Sequence, residues 1–194
     1  MHLNQNKINN FVKFISGIEV LGICLIIVAA FGFQLLMGEL PCPLCLLQRL
    51  GLLGIAFGFL LNMRYHVRPS HYALSLLAAL FTAFVSLRQI SLHVTTPEGF
   101  GPAIMGFHMY TWVFIISMIA VIYIAVVMSF PRQYEIKQND SEYAEARSKK
   151  IRIFTHVAFA LLALVVFANL ASTFVECGLT ECPDDPTAYV LIQK

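Results

Sequence analysis

Apolar residues in this chain fall in long unbroken runs rather than in alternation. Five runs stand out: Phe14–Met37, Leu46–Met63, Tyr72–His93, Tyr110–Phe130 and Ile153–Val175. A bilayer core takes about 20 apolar residues per helix. No alternation of the kind that builds a lipid-facing barrel is present, so each run predicts a membrane-crossing helix. The second run is the shortest. No internal repeat or low-complexity tract interrupts the pattern, and the expected fold class is an all-α membrane protein.

Composition sharpens this picture. The chain of 194 residues is 58% hydrophobic and 12% charged, where a soluble domain carries about 25% charged residues. So few charges exclude a disordered chain and an ordinary water-exposed globule. A net charge of +2 gives no bulk electrostatic case for nucleic acid. The first run is longer than the roughly 7–15 apolar residues of a cleavable signal, and no small-x-small site follows it.

Charge also orients the spans. Ten of the 13 Lys and Arg residues fall in the N-terminus (1–13), the 62–71 turn and the 131–152 connector, among them Lys137, Arg147, Lys149, Lys150 and Arg152. Arg49, Arg88 and Lys194 fall on the other side. Basic residues collect on the cytoplasmic side. The N-terminus is therefore expected in the cytoplasm and the 176–194 tail outside, with the connector's cations touching anionic membrane lipids.

That orientation partitions the cysteines. Cys42 and Cys45 lie between the first two spans, and Cys177 and Cys182 follow the fifth, so four of the five cysteines face the side where disulfides persist. Cys24 is mid-span and expected to pack as a small hydrophobe. In Leu40-Pro41-Cys42-Pro43-Leu44-Cys45-Leu46-Leu47-Gln48-Arg49 the prolines favour a helix start. The helix dipole and free N–H groups there are expected to lower the Cys42 pKa. Cys45 lies one turn on, and Arg49 one turn beyond it on the same face. An Arg near the membrane is a functional hypothesis by default, and a guanidinium holds an anionic or carbonyl oxygen well. A static disulfide, a metal clip and an Arg that snorkels to phosphate remain the plain alternatives.

Span three ends in Arg88-Gln89-Ile90-Ser91-Leu92-His93, and span four opens with Gly106-Phe107-His108-Met109-Tyr110-Thr111-Trp112. His93 and Arg88 are thus placed at the same outer interface as Cys45. His93 is a candidate to hydrogen-bond or protonate a ligand, against an ordinary interfacial role. Tyr110 and Trp112 read first as aromatic-belt anchors. Glu19 is expected to snorkel or pair with a neighbouring helix, and His66 and His71 to be solvated in the cytoplasmic turn.

These residues together resemble the disulfide bond formation protein B (DsbB) family. The matching elements are Phe33-Gln34, Pro41-Cys42-x-Leu-Cys45, Gln48-Arg49, Arg88 to His93, and Gly106-x-x-Met109-x-x-Trp112. The resemblance implies a four-helix transmembrane bundle over 14–130 with a quinone, ubiquinone or menaquinone, near the outer surface. It implies Cys42 and Cys45 as the redox pair, Cys45 nearer the quinone, and Arg49 and His93 as contacts to the ring oxygens. It also implies a bacterial inner-membrane thiol oxidase that reoxidises a periplasmic DsbA-like partner of thioredoxin fold.

Two features depart from that pattern. The 94–109 loop, with Pro97, Gly99, Gly101 and Pro102 and an expected exposed set of Phe100, Ile104 and Met105, carries no cysteine, although the family commonly places a second pair there. This chain has instead a fifth span (153–175) ending in Cys177-Gly-Leu-Thr-Glu-Cys182, as in branches of the family with an added transmembrane helix. A relocated shuttle pair explains both departures. A static Cys177–Cys182 clip explains the second, and Glu176, Glu181, Asp184 and Asp185 disfavour a thiolate there. A rival from another class is a membrane metal-binding or transport protein using Cys42, Cys45, His93 and His108 as ligands.

Overall fold

The computed structural model describes residues 5–95, 99–101, 103–135, 149–180, 182–183, 186 and 189–191. Pro97, Pro102, Lys137, Arg147, Glu181, Asp184, Asp185 and Lys194 lie outside the described residues. Five helices are long and apolar enough to cross a membrane: α1 (Gln5–Leu36), α2 (Pro43–Arg64), α3 (Pro69–His93), α4 (Met109–Met128) and α5 (Lys149–Cys177). The chain is an all-α membrane protein. At about 1.5 Å per residue, α1 and α5 are longer than a bilayer core is thick.

The helices pack α1 on α2, α2 on α3 and α3 on α4, while α5 lies against α1 and α2. Val20, Cys24 and Ile27 of α1 meet Ile55, Ala56, Phe59 and Met63 of α2 in the core, and Ala158, Leu162 and Val165 of α5 complete it. Large apolar residues such as Leu25, Phe84, Ile119 and Phe167 point outward, as a lipid-facing surface requires. Lipid tails are as apolar as these side chains, so close packing rather than burial from water holds such helices together.

The α2–α3 seam shows how. Gly51, Gly54 and Gly58 form a stripe of missing side chains along α2. A Cβ on Gly58 would sit 2.6 Å from the His71 carbonyl and 3.0 Å from the Ser75 nitrogen, one on Gly54 3.0 Å from the Ala78 Cβ, and one on Gly51 would collide with Thr82. Ser75 donates to the Ile55 carbonyl at 2.9 Å across this seam.

Three polar side chains stand near the α2–α3 turn. His71, expected to be solvated, is half-buried: its Nδ1 lies 2.9 Å from Asn62 Oδ1, which also accepts from the Arg68 N–H at 3.4 Å. His66 Nε2 lies 3.5 Å from the Tyr134 carbonyl. Glu19 turns toward its neighbouring helices rather than snorkelling, the second of its two expected fates: it lines a second cavity with Tyr72 of α3 and Tyr123 of α4.

The link from α3 to α4 is shorter in reach than a free loop. Ala103–Ile104 (β1) pairs antiparallel with Phe107–His108 (β2), in register Ala103↔His108 and Ile104↔Phe107. Met105 and Gly106 both take positive φ, 53° and 85°, as a two-residue hairpin turn of this hand demands. Trp112 Nε1 donates to the Ile104 carbonyl at 3.0 Å and pins the hairpin to α4. Phe100 and Ile104 are accordingly half-buried rather than exposed, while Met105 stays exposed.

Gly58→Ala is expected to cost about 1–3 kcal/mol, because backbone atoms of α3 cannot yield to a methyl group. Gly22→Ala, where a Cβ meets nothing within 4 Å, is expected to be neutral or to stabilise by about 0.5–1 kcal/mol. Thermal unfolding in detergent reads both, and equal effects at the two sites would refute the packing argument.

Candidate functional site

Cys42 caps α2 in extended conformation with Pro43 in the first turn, and its sulfur accepts the Cys45 N–H at 3.2 Å. The prolines therefore start the helix where the sequence places it. Both thiols are free; Cys42 is 6% exposed and Cys45 half-buried. The expected lowering of Cys42 does not hold. Its hydrogen bond with the Cys45 thiol, and then burial, push the Cys42 thiol up, against the lowering pull of the Cys45 and Leu44 N–H groups. Of the two sulfurs, Cys42 is the one that keeps the proton.

Gln89 of α3 brings the two sulfurs under one side chain. Its Nε2 donates to Cys42 Sγ at 3.3 Å and to Cys45 Sγ at 3.5 Å, and its Oε1 accepts from Gln48 Nε2 at 2.8 Å. Gln89 is fully buried. Its sequence neighbour Arg88 is exposed and points away.

Arg49 does not snorkel. It is 7% exposed. Nη1 donates to Gln34 Oε1 at 2.9 Å, Nη2 to the Ala30 carbonyl at 3.4 Å, and the guanidinium lies 4.8 Å from the Phe31 ring centroid. Gln34 passes the network on, donating from Nε2 to Ser172 Oγ at 2.9 Å and to Tyr189 Oη at 3.3 Å. The fifth helix and the tail thus close on the arginine.

Arg49, Cys45, Gln34, Gln48 and Gln89 line one cleft, with Ile26, Phe33 and Leu52 as apolar walls and Phe100 and Tyr110 at one side. About 750 Å³ of it is free of protein atoms, part of this open to the surroundings. A flat ring with carbonyl acceptors fits this donor set: a guanidinium has five N–H donors, and Gln34 and Ala30 engage only Nη1 and Nη2.

His93 stands behind that wall rather than in it. Its Nδ1 lies 2.9 Å from the Gln89 carbonyl, and its ring stacks on Tyr110 at 5.6 Å. His108 stacks on Tyr110 at 5.3 Å, and its Nδ1 lies 3.0 Å from the Gly101 carbonyl. Tyr110, expected as a belt anchor, is 6% exposed and lines the cleft between the two histidines. Trp112 is tied to the hairpin. The four ligands of the metal-binding alternative do not assemble, and among the described residues no group of three or more His, Cys, Asp or Glu is placed to hold a metal.

Cys177 and Cys182 form a disulfide, with Cα atoms 4.6 Å apart. Cys177 is 3% exposed and Cys182 half-buried. The tail folds back over it, with the Val190 N–H donating to the Glu176 carbonyl and the Leu191 N–H to the Val175 carbonyl, both at 3.2 Å. The sequence reading missed Gln89, Tyr110 and the α5 face that carries Asn169, Ser172 and Glu176. The usable signal for that face was polar residues at spacings of three and four in an apolar span.

Residues 13–101 match the model of the family described as disulfide bond formation protein DsbB. The segment holds Cys42, Cys45, Arg49, Gln89 and His93, and stops before α4 and the Cys177–Cys182 disulfide. No curated protein and no solved structure matches the chain.

Gln89→Leu leaves Gln48 Nε2 buried without its acceptor and is expected to cost about 1–3 kcal/mol. Arg88→Leu is expected to change stability by less than about 0.5 kcal/mol. Thermal unfolding of the two variants in detergent separates them, and a neutral Gln89→Leu would contradict the network.

Proposed function

From the match of residues 13–101 to the DsbB family, we propose that this membrane protein is a disulfide oxidoreductase of that family, a quinone-dependent thiol oxidase. It lies in a bacterial inner membrane with its N-terminus cytoplasmic and its tail periplasmic. The observation that carries this reading is the convergence of Cys45 and the buried Arg49 on one apolar cleft.

Arg49 would hold a quinone oxygen with the N–H groups that face the cleft, and the Gln48 and Gln89 amides would fix the ring's other polar edge. A quinone bound there supplies a two-electron, two-proton acceptor. The chain's own part is to deliver two electrons from the Cys42–Cys45 dithiol, which closes to a disulfide and releases two protons. Cys45 is the sulfur that faces the cleft. Arg49 stabilises the negative charge that develops beside it, in a site where few waters compete. His93 acts through Tyr110 and the Gln89 carbonyl as a positioning residue.

Cys42 is too buried for direct attack by a partner. Cys182 is the more accessible sulfur of the tail disulfide and a target for an outside thiolate. Electrons would then run from a periplasmic DsbA-like protein of thioredoxin fold to Cys177–Cys182, on to Cys42–Cys45, and to quinone, with a mixed disulfide at each exchange. Membrane lipids surround the bundle and meet the connector's cations.

Quinone reduction by the purified protein, supplied with a reduced thioredoxin-like dithiol, tests this. Cys45→Ser is expected to fall to background, and so is Cys177→Ser/Cys182→Ser. Arg49→Lys, which loses the planar fork, is expected to raise the KM for quinone by about tenfold or more. Full activity in Cys45→Ser would overturn the enzyme reading. Loss in Cys45→Ser with none in the tail variant would reduce the tail disulfide to a clip.

A further inference from the structure

Glu176 has no place in the scheme above. It is 1% exposed, and its Oε2 is buried with no hydrogen-bond partner among the described residues. It lies one turn beyond Ser172 on α5, on the face that reaches Gln34. Gln34, whose Nε2 donates to Ser172 Oγ at 2.9 Å and to Tyr189 Oη at 3.3 Å, accepts from Arg49 Nη1 at 2.9 Å; Cys45 precedes Arg49 by one turn on α2, and its N–H donates to Cys42 Sγ. From α1 the nearest member of this network is the uncharged Gln34. One buried cation therefore stands in a network with a buried carboxylate on α5 and a thiolate-forming sulfur on α2.

Two anions around one guanidinium in a dry site are not both compensated. When Cys45 becomes a thiolate and draws on Arg49, a neutral Glu176 is favoured. When Glu176 is ionised, the thiolate is penalised.

We propose that Glu176 is a positioning residue that, through Arg49, couples deprotonation of Cys45 to its own protonation. The net step moves a proton from the Cys45 sulfur to a carboxylate oxygen of Glu176. A thiol and a carboxylate become a thiolate and a carboxylic acid, with no change in total charge and no oxidant consumed. The fifth helix would thus bring a proton store to the dithiol, one residue before its own disulfide. This rests on the reading of Cys42–Cys45 as a redox dithiol.

The test needs neither quinone nor partner protein, so its outcome is separate from that of the activity assay. Full-length protein in detergent, with Cys42 and Cys45 reduced and Cys177–Cys182 kept oxidised, is alkylated from about pH 5 to 9, a range that covers carboxyl and thiol titration. Labelling of Cys45 is read by peptide mass. Glu176→Gln is expected to speed Cys45 labelling on the acid side of the profile by about tenfold, the effect of one pKa unit. It should also turn a broad two-step profile into a single step, and Glu176→Asp should restore the two steps. Unchanged or slower labelling in Glu176→Gln would overturn the proposal. Should that variant not fold, the reduced-minus-oxidised infrared difference spectrum of the wild type decides. A change in the carboxylic-acid carbonyl band supports the coupling, and its absence overturns it.

Discussion

The buried charge of Arg49 is the constraint around which the Cys42 end of this bundle is arranged. A guanidinium is ionised at any accessible pH, and taking it out of water costs several kcal/mol unless partners replace the lost hydration. Those partners come from three separate parts of the chain. The Gln34 amide, the Ala30 carbonyl and the Phe31 ring belong to α1, and through Gln34 the network takes in Ser172 of α5 and the Tyr189 hydroxyl of the tail. Satisfying one cation therefore fixes how three helices meet, and it fixes the Gln34 side chain in the orientation that receives Ser172.

The sulfur side follows from the same economy of polar groups in an apolar setting. Cys42 spends its lone pairs on the Cys45 N–H and on Gln89, so a cysteine takes the capping role usually left to Ser, Thr, Asp or Asn. Gln89 reaches both sulfurs only because α3 approaches α2 closely along the glycine stripe of Gly51, Gly54 and Gly58. Helix packing some turns away thus sets the distance between the amide and the thiols. A change at the seam is felt at the site through the placement of α3 rather than through any direct contact.

Much of this was legible in the sequence, and the rest was not for identifiable reasons. The five spans are written in runs of apolar residues that only helices can use in a bilayer, and the helix start at Pro43 is set by local proline chemistry. Cys45 and Arg49 fall together because both are consecutive on one helix face, a relation that spacing encodes. Gln89 and Tyr110 come to the cleft from other helices, and their arrival depends on helix rotation, which an apolar run does not encode. Tyr110 carried an apparent explanation as a belt residue, and Arg88, next to Gln89, drew attention by its charge while pointing away. The half-burial of Phe100 needed the hairpin, whose turn is carried by Met105 and Gly106 rather than by an Asn-Gly pair.

The position of α5 gives the two sides of the cleft different characters. It packs on α1 and α2 and so closes the site from the Arg49 side, where polar contacts are ionic or charge-assisted. The opposite side is the stack of His93, Tyr110 and His108, whose histidine Nδ1 atoms lie against backbone carbonyls and which presents a tyrosine to the cleft. Charge that develops between these walls is therefore stabilised at one side only, that of Arg49. Glu176 is buried one turn beyond Ser172 on that helix, and Cys177 follows it directly in the chain. The fifth helix therefore carries an acid and a disulfide on the side of the bundle where Gln34 holds Arg49. A helix placed against α3 and α4 would reach the aromatic wall instead, where neither group would feel the arginine.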